Sequence, residues 1–272
     1  LLGEIELSSL ERAQRKPTDT LSSYELLLKG KALHHKLQKD ALLNALTTFD
    51  DAIKADEKNG QAYAWKACAL GQGLFRGYIE EDFNTIMSQA MDNLKKAREL
   101  NENDFEVHRL MSEVSLAMKD FRAAQRHSKI CYEQVPNDPR VLSVYGEVCL
   151  RTGKVDEGLD AVKLALEIDP VAQGKTNADP RHAAVIFGYY MARDKEGCLE
   201  QINNLEEIDF KSWLLTTKIC RDEEHEFSNL DWFQEGKKLF SDKDFEKEVQ
   251  DFRLNNDSAT ETLISFAKEL FS

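Results

Sequence analysis

Residues that interrupt helices are scarce in this chain. Of its 272 residues, 5 are proline and 13 are glycine. Proline breaks the helical hydrogen-bond ladder and glycine lowers helix stability. The composition therefore favours a mostly helical chain.

Closely spaced cysteine pairs are absent. The five cysteines lie at least 18 residues apart, so the sequence contains no CxxC metal or redox motif. The odd number argues against a complete disulfide framework. We interpret the cysteines as small buried thiols in a reducing compartment.

Long hydrophobic runs are also missing. The longest, residues 183–192, is about half of what a membrane-spanning helix needs, and no secretory signal is present. These absences predict that the protein has no membrane partner and works in the cytoplasm.

The familiar motifs of catalysis and metal binding do not occur. There is no GxSxG elbow, no P-loop and no HExxH. Residues 71–77 miss the GxGxxG spacing by one place and follow a predicted helix, so we interpret them as an inter-helix loop. His34 and His35 are adjacent and point to different helix faces. The sequence predicts no catalytic residue, no cofactor and no metal ion, and favours a protein that is not an enzyme.

Positive charge is in deficit. The chain has 49 acidic and 36 basic residues, for a net charge of −13. Such a field repels nucleic acid and anionic lipid. We expect no nucleic-acid partner, and basic or mixed-charge proteins remain open as partners.

What the sequence does contain is a 34-residue period. Small residues and a proline recur at this spacing, since Ala124, Cys131 and Pro136 are followed by Gly158, Ala165 and Pro170. A period of 34 is typical of tetratricopeptide repeats, which are helix–turn–helix units that stack on one another.

The period predicts an all-α fold, a right-handed superhelix of about five helix pairs with a helical C-terminal cap. Residues 1–22 are expected to form a connecting helix that leads from a missing N-terminal effector domain. The repeats are predicted over residues 23–57, 60–102, 105–136, 139–170 and 179–210. Residues 211–272 are predicted to form a degenerate repeat and capping helices. Because no initiator methionine is present, we expect the chain to be part of a longer protein.

Two segments near the N-terminus point to a particular setting. They are ERAQRKP at residues 11–17 and LSSYELLLKG at residues 21–30, and they are followed by residues 49–56 in the second helix of the first repeat. The sequence resembles the junction between bacterial class III nucleotide cyclases and their C-terminal tetratricopeptide arrays, which also follow winged-helix transcription-regulator domains. The resemblance covers roughly residues 5–210. It implies a regulatory module of a cytoplasmic signalling protein, and no cyclase catalytic residue falls in this chain.

The first helix of each repeat should line a concave groove. Arginine and aromatic side chains on such a face commonly supply binding energy. The candidates for partner binding are His34, Trp65, Arg109, Glu113, Arg140, Glu147 and Tyr190. The alternative is that the charges form a solvated face and the rings serve packing.

Two functions follow from this pattern. The first is a non-catalytic module that binds a peptide or protein in the groove and shifts the population of an attached effector, either a cyclase or a transcription regulator. The second is an oligomerisation scaffold, a homodimer that pairs effector domains. An apolar patch on the C-terminal helices would then form the dimer contact, with Trp232, Phe233, Phe240 and Phe245 as its members.

Overall fold

The structure is a computed structural model that describes residues 21–172 and 175–272. These residues form fourteen α-helices and no strand. The predicted all-α class is therefore confirmed. The connecting helix predicted over residues 1–22 lies almost entirely outside the described residues. None of the described helices is long and apolar enough to cross a bilayer.

The chain divides into two compact units between Met118 and Lys119. This division falls within the repeat predicted over residues 105–136, and the repeat boundaries stay a prediction. Among its described residues the first unit contains five helices: α1 Ser23–His34, α2 Lys39–Ala55, α3 Gly60–Phe75, α4 Phe83–Leu100 and α5 Phe105–Ala117.

Polar residues fix where the helices of the first unit begin. Ser22 and Glu25 form a capping box at the start of α1, each side chain bonding the backbone N–H of the other. The side chains of Asn59, Asp82 and Asp104 cap α3, α4 and α5. Each of these caps satisfies a donor that the helix itself leaves unpaired.

Small residues let the helices of the first unit pack closely. Ala45, Phe49 and Ala52 on α2 are fully buried. A Cβ atom placed on Gly30 of α1 would lie 2.4 Å from the ring of Phe49. Glycine at this position therefore allows the ring to lie directly against the α1 backbone.

Helix α3 is longer than the sequence indicated. The prediction placed a loop at residues 71–77, but α3 continues to Phe75. Ile79 explains the difference, because it folds back against Gly73, where a Cβ atom would lie only 2.6 Å from it. The backbone N–H groups of Tyr78 and Ile79 both donate to the carbonyl of Gly73.

The second unit contains nine helices among its described residues. They are α6 Phe121–Gln134, α7 Pro139–Arg151, α8 Val155–Ile168, α9 Asp179–Ala192, α10 Lys195–Ile202, α11 Phe210–Asp222, α12 Asp231–Leu239, α13 Phe245–Gln250 and α14 Asp257–Leu270. Successive helices from α7 to α11 pack on one another, and α11 also contacts α12, α13 and α14.

The aromatic residues of the C-terminal helices form an internal core. Trp213 of α11 is fully buried, and its ring centroid lies 5.7 Å from those of Phe233 and Phe240. Trp232 is also buried, and Phe245 stacks on Phe271 with centroids 4.8 Å apart. The scaffold alternative would need these aromatics at the surface, but Trp232, Phe233 and Phe240 are buried in the C-terminal core of the second unit.

Candidate functional site

Four of the seven predicted binding residues meet in the first unit. They lie on α1, α3 and α5, and together with two neighbours they form what we call the α1–α3–α5 cluster. Its members are His34, Trp65, Cys68, Glu106, Arg109 and Glu113. The cluster is built from the first helices of three successive helix pairs, as the sequence indicated.

The exposure of this cluster differs from the expectation of an open groove. His34, Trp65 and Arg109 have only 4%, 3% and 6% of their surface exposed. They are buried because neighbouring first helices pack against the face that was expected to be open. Glu113 remains accessible, with 40% of its side chain exposed. The role of these residues in binding stays a prediction.

Rings and a thiol join α1 to α3. The ring of Trp65 meets both His34 and His35 edge-on, with centroids 5.4 Å apart in each case. Nε2 of His34 lies 3.5 Å from Sγ of Cys68, and Nζ of Lys31 lies 5.0 Å from the centre of the Trp65 ring. Trp65 therefore anchors a cationic edge of the cluster.

The adjacent cysteine and histidine are not poised for nucleophilic chemistry. Burial lowers the pKa of His34 to about 3, and the charges of His35 and Arg109 add to this shift. Burial also raises the pKa of Cys68 to about 12. A reactive pair needs a thiolate and a basic imidazole, whereas here both groups are held neutral.

Arg109 is the charged centre of the cluster. It donates to Glu106 at 2.8 Å and to Glu113 at 2.6 Å. Burial alone would lower the pKa of Arg109, but the two carboxylates outweigh that effect and raise it. The guanidinium is held charged on α5, between an inner carboxylate that is buried and an outer one that faces solvent.

Four buried polar atoms in this region have no hydrogen-bond partner. They are Nδ1 of His34, Nε1 of Trp65, Oε1 of Gln72 and Nε of Arg109. An unsatisfied buried donor or acceptor costs about 1–3 kcal/mol, so native proteins contain few of them. The set contains two donors, Trp65 Nε1 and Arg109 Nε, and one acceptor, Gln72 Oε1.

The other three predicted residues lie in the second unit and are not brought together. Arg140 pairs with Asp138, the N-cap of its own helix α7, at 2.6 Å. Tyr190 on α9 is partly buried, and burial together with Asp222 raises its pKa. Glu147 contacts Arg151 one turn along α7, at 3.2 Å.

Sequence reasoning missed the surroundings of Glu147. Lys211 of α11 and Arg253, which follows α13, both act on its charge. Burial alone would raise the pKa of Glu147, but Arg151, Lys211 and Arg253 together lower it. The i, i+4 spacing of Glu147 and Arg151 was a readable signal. The repeat spacing gave no indication that the segment carrying Arg253 folds back towards α7.

Metal binding has no visible basis in the described residues, where no group of three or more His, Cys, Asp or Glu side chains is placed to hold an ion. No protein-family model matches the sequence, and no curated protein matches it at a significant level.

Solved structures do resemble this chain. PilF of Pseudomonas aeruginosa has a TM-score of 0.60 and 14% identity, covering 85% of this chain and 96% of that one. A thermophilic TPR protein of Thermus thermophilus has a TM-score of 0.52 and 18% identity, covering 75% and 100%. A tetratricopeptide repeat protein of Parabacteroides merdae has a TM-score of 0.51 and 14% identity, covering 96% and 90%.

The fold is that of tetratricopeptide-repeat proteins. The predicted fold class is confirmed by this likeness together with the helical architecture. At such low identity the likeness concerns the fold alone. One fold can host many unrelated functions, so the function has to be argued from side chains.

Proposed function

We propose that this chain is a non-catalytic interaction module whose α1–α3–α5 cluster binds a peptide segment of a partner protein. The observation that carries the proposal is the set of four buried polar atoms without partners. Trp65 Nε1 and Arg109 Nε are donors, and Gln72 Oε1 is an acceptor. A peptide main chain offers one acceptor and one donor per residue, which suits such a mixed set.

The rim of the cluster favours a peptide of mixed charge. Lys31 lies over the Trp65 ring at one side, and Glu113 is accessible at the other. The unpartnered atoms lie beneath the surface, so rim side chains turn aside when a peptide enters. The new hydrogen bonds would then offset the cost of the unsatisfied groups.

The test is direct. A displayed library of random peptides is panned against the protein, and the affinity of the enriched peptides is measured by fluorescence anisotropy. Trp65→Phe keeps an aromatic ring and removes the Nε1 donor. We expect it to weaken binding about tenfold, as the loss of one buried hydrogen bond does. Trp232→Phe in the second unit is the matched control and should bind like the wild type. Equal affinity of the two variants, or no enrichment, would contradict the proposal.

We also propose that the module regulates an effector in a cytoplasmic bacterial signalling protein. The support is the resemblance of residues 11–56 to the junction of class III nucleotide cyclases. Reading the coding sequence upstream of residue 1 tests this proposal. A class III cyclase or winged-helix domain is expected there, and any other domain would refute it.

The scaffold alternative loses three of the four residues named for its dimer contact. Trp232, Phe233 and Phe240 are packed within the second unit, each 6–7% exposed.

A further inference from the structure

Three cations from separate parts of the chain converge in the second unit. Arg151 ends α7, Lys211 lies in the first turn of α11, and Arg253 follows α13. These positive side chains lie together although the whole chain carries a net charge of −13. Glu147 is the carboxylate in contact with Arg151. The charges of Asp209 and Asp251 also act on Lys211 and Arg253 respectively.

Lys211 and Arg151 share one aromatic ring. Nζ of Lys211 lies 4.1 Å from the centre of the Phe187 ring, and Cζ of Arg151 lies 4.7 Å from it. Nζ of Lys211 also lies 6.0 Å from the centre of the Phe252 ring. In the part of the chain that the structure describes, Lys211 forms no ion pair. Glu147, Asp209 and Asp251 equal the three cations in number, so the site has no excess charge, and what stays open is the donor capacity of Lys211 Nζ.

Arg151 is held in place and keeps one donor unused. Its side chain is 6% exposed. Nη1 donates to Glu147, and Nη2 donates to the carbonyl of Phe252 at 3.2 Å. Nε is buried and has no partner. The C-terminal segment therefore forms one wall of the site and fixes the guanidinium before any ligand arrives.

The electrostatics agree with an incomplete anion site. Burial lowers the pKa of Lys211 to about 8, and the charge of Arg151 adds to this shift. An added anion would favour the charged ammonium and relieve the repulsion between the two cations.

We propose that Arg151, Lys211 and Arg253 bind one side-chain carboxylate of an acidic partner peptide, with Arg151 Nε and Lys211 Nζ as donors. A carboxylate fits better than a phosphate for two reasons. Glu147 already pairs with Arg151, and its charge and those of Asp209 and Asp251 oppose a dianion. The rings of Phe187 and Phe252 also exclude water, which makes dehydration of a doubly charged group more costly.

Nuclear magnetic resonance of the full chain tests the site. The probe is N-acetylglutamate amide, and N-acetylglutamine amide is its uncharged isostere. We expect the glutamate probe to shift the Lys211 εCH₂ and Arg151 Nε resonances saturably and to raise the pKa of Lys211. The glutamine probe should produce no saturable shift, and inorganic phosphate should bind at least about tenfold more weakly, since Glu147 repels a dianion.

Variants assign the effect to the proposed donors. Lys211→Met should remove the shift at Arg151. Lys211→Arg keeps the charge and should retain binding within about threefold, because the guanidinium still donates to a carboxylate. Lys163→Met is the matched control, since Lys163 also lies over a ring of this unit, 5.6 Å from the centre of Tyr189. Thermal unfolding checks that each variant folds. If Lys211→Met does not fold, binding of the glutamate probe to the charge-retaining Lys211→Arg still tests the proposal.

Four results would overturn the proposal. Equal shifts with the glutamine probe would show apolar binding. Tighter binding of phosphate would show a phosphate site. Unsaturable shifts, or shifts that persist in a folded Lys211→Met protein, would show that these cations serve only to hold the C-terminal segment.

Discussion

His34 is a buried base that stays neutral in the folded protein. Its pKa is lowered from 6.5 to about 3, first by burial and then by the charges of His35, Arg109 and Arg76. Between these two values the unfolded chain binds a proton that the folded chain does not. The free energy of unfolding therefore falls as the pH drops through this range, by up to about 1.4 kcal/mol per pH unit.

Urea unfolding at pH 7, 6 and 5 measures this slope. His34→Leu should reduce the pH dependence, because the variant has no imidazole to protonate in the unfolded chain. His225→Leu, which removes a partly exposed histidine of the second unit, should leave the slope close to that of the wild type. An unchanged slope in His34→Leu would mean that other groups dominate the acid response.

Arg109 neutralises a carboxylate that has almost no access to water. The side chain of Glu106 is 6% exposed and lies 2.8 Å from Arg109. Arg109→Met removes the guanidinium from this buried carboxylate, and breaking a buried ion pair costs about 3–5 kcal/mol. Arg140→Met removes a pair whose arginine is 39% exposed and should cost below about 1 kcal/mol. Denaturant unfolding of both variants tests the difference, and similar losses would contradict it.

The burial of the candidate residues in the first unit could not be predicted from the sequence. Helical periodicity assigned His34, Trp65 and Arg109 to the face of each first helix that points away from its own pair. It could not show that the next first helix covers this face, because that depends on spacing between helices that are far apart in sequence. The structure brings these candidates together in the first unit and buries them, which the periodicity did not indicate, and their role in binding stays a prediction.

At the scale of single elements, substitution of two helical glycines by alanine should change the stability in opposite directions. A Cβ atom on Gly236 of α12 would lie 2.1 Å from the Trp213 ring, which is fully buried and has no room to move. Gly236→Ala should therefore destabilise the second unit by about 1–3 kcal/mol, as overpacking does.

Gly71→Ala is the matched substitution on α3. A Cβ atom there meets no atom within 4 Å, so the gain in helix propensity should stabilise the first unit by about 0.5–1 kcal/mol. Thermal unfolding of the two variants decides the matter. Destabilisation of both to a similar extent would show that the packing around α3 is tighter than the structure indicates.

Helix starts carry clearer local signals than helix ends. At the start of α1, Ser22 and Glu25 have the capping-box spacing, which can be read from the sequence. The end of α3 was not recognisable, since glycine at positions 71 and 73 normally favours a turn. Contacts of Gly73 with Ile79 and Leu42 overrode that local preference.

At the scale of the whole molecule, the 34-residue period determined the fold class, but it stopped short of the C-terminal region. The helices beyond Phe210 were predicted to form a degenerate repeat and capping helices, and this stays a prediction. Their aromatic residues were compatible with a surface patch as well as a core, because hydrophobicity alone does not distinguish an unpaired patch from a core that a later segment closes. The segment around Phe252 reaches back to Arg151, 101 residues earlier, and no local pattern encodes that contact.

The internal use of these aromatic residues also predicts the state of association. A dimer needs an apolar patch on its surface, and stable interfaces bury about 1,200–2,000 Å² in total. Trp232, Phe233 and Phe240 are already buried within one chain. The surface also carries the net charge of −13, which opposes self-association. Light scattering across a concentration series should therefore give the mass of one chain, 31.1 kDa, at every concentration. A constant mass of twice that value would locate a dimer contact outside the C-terminal aromatics and revive the scaffold function.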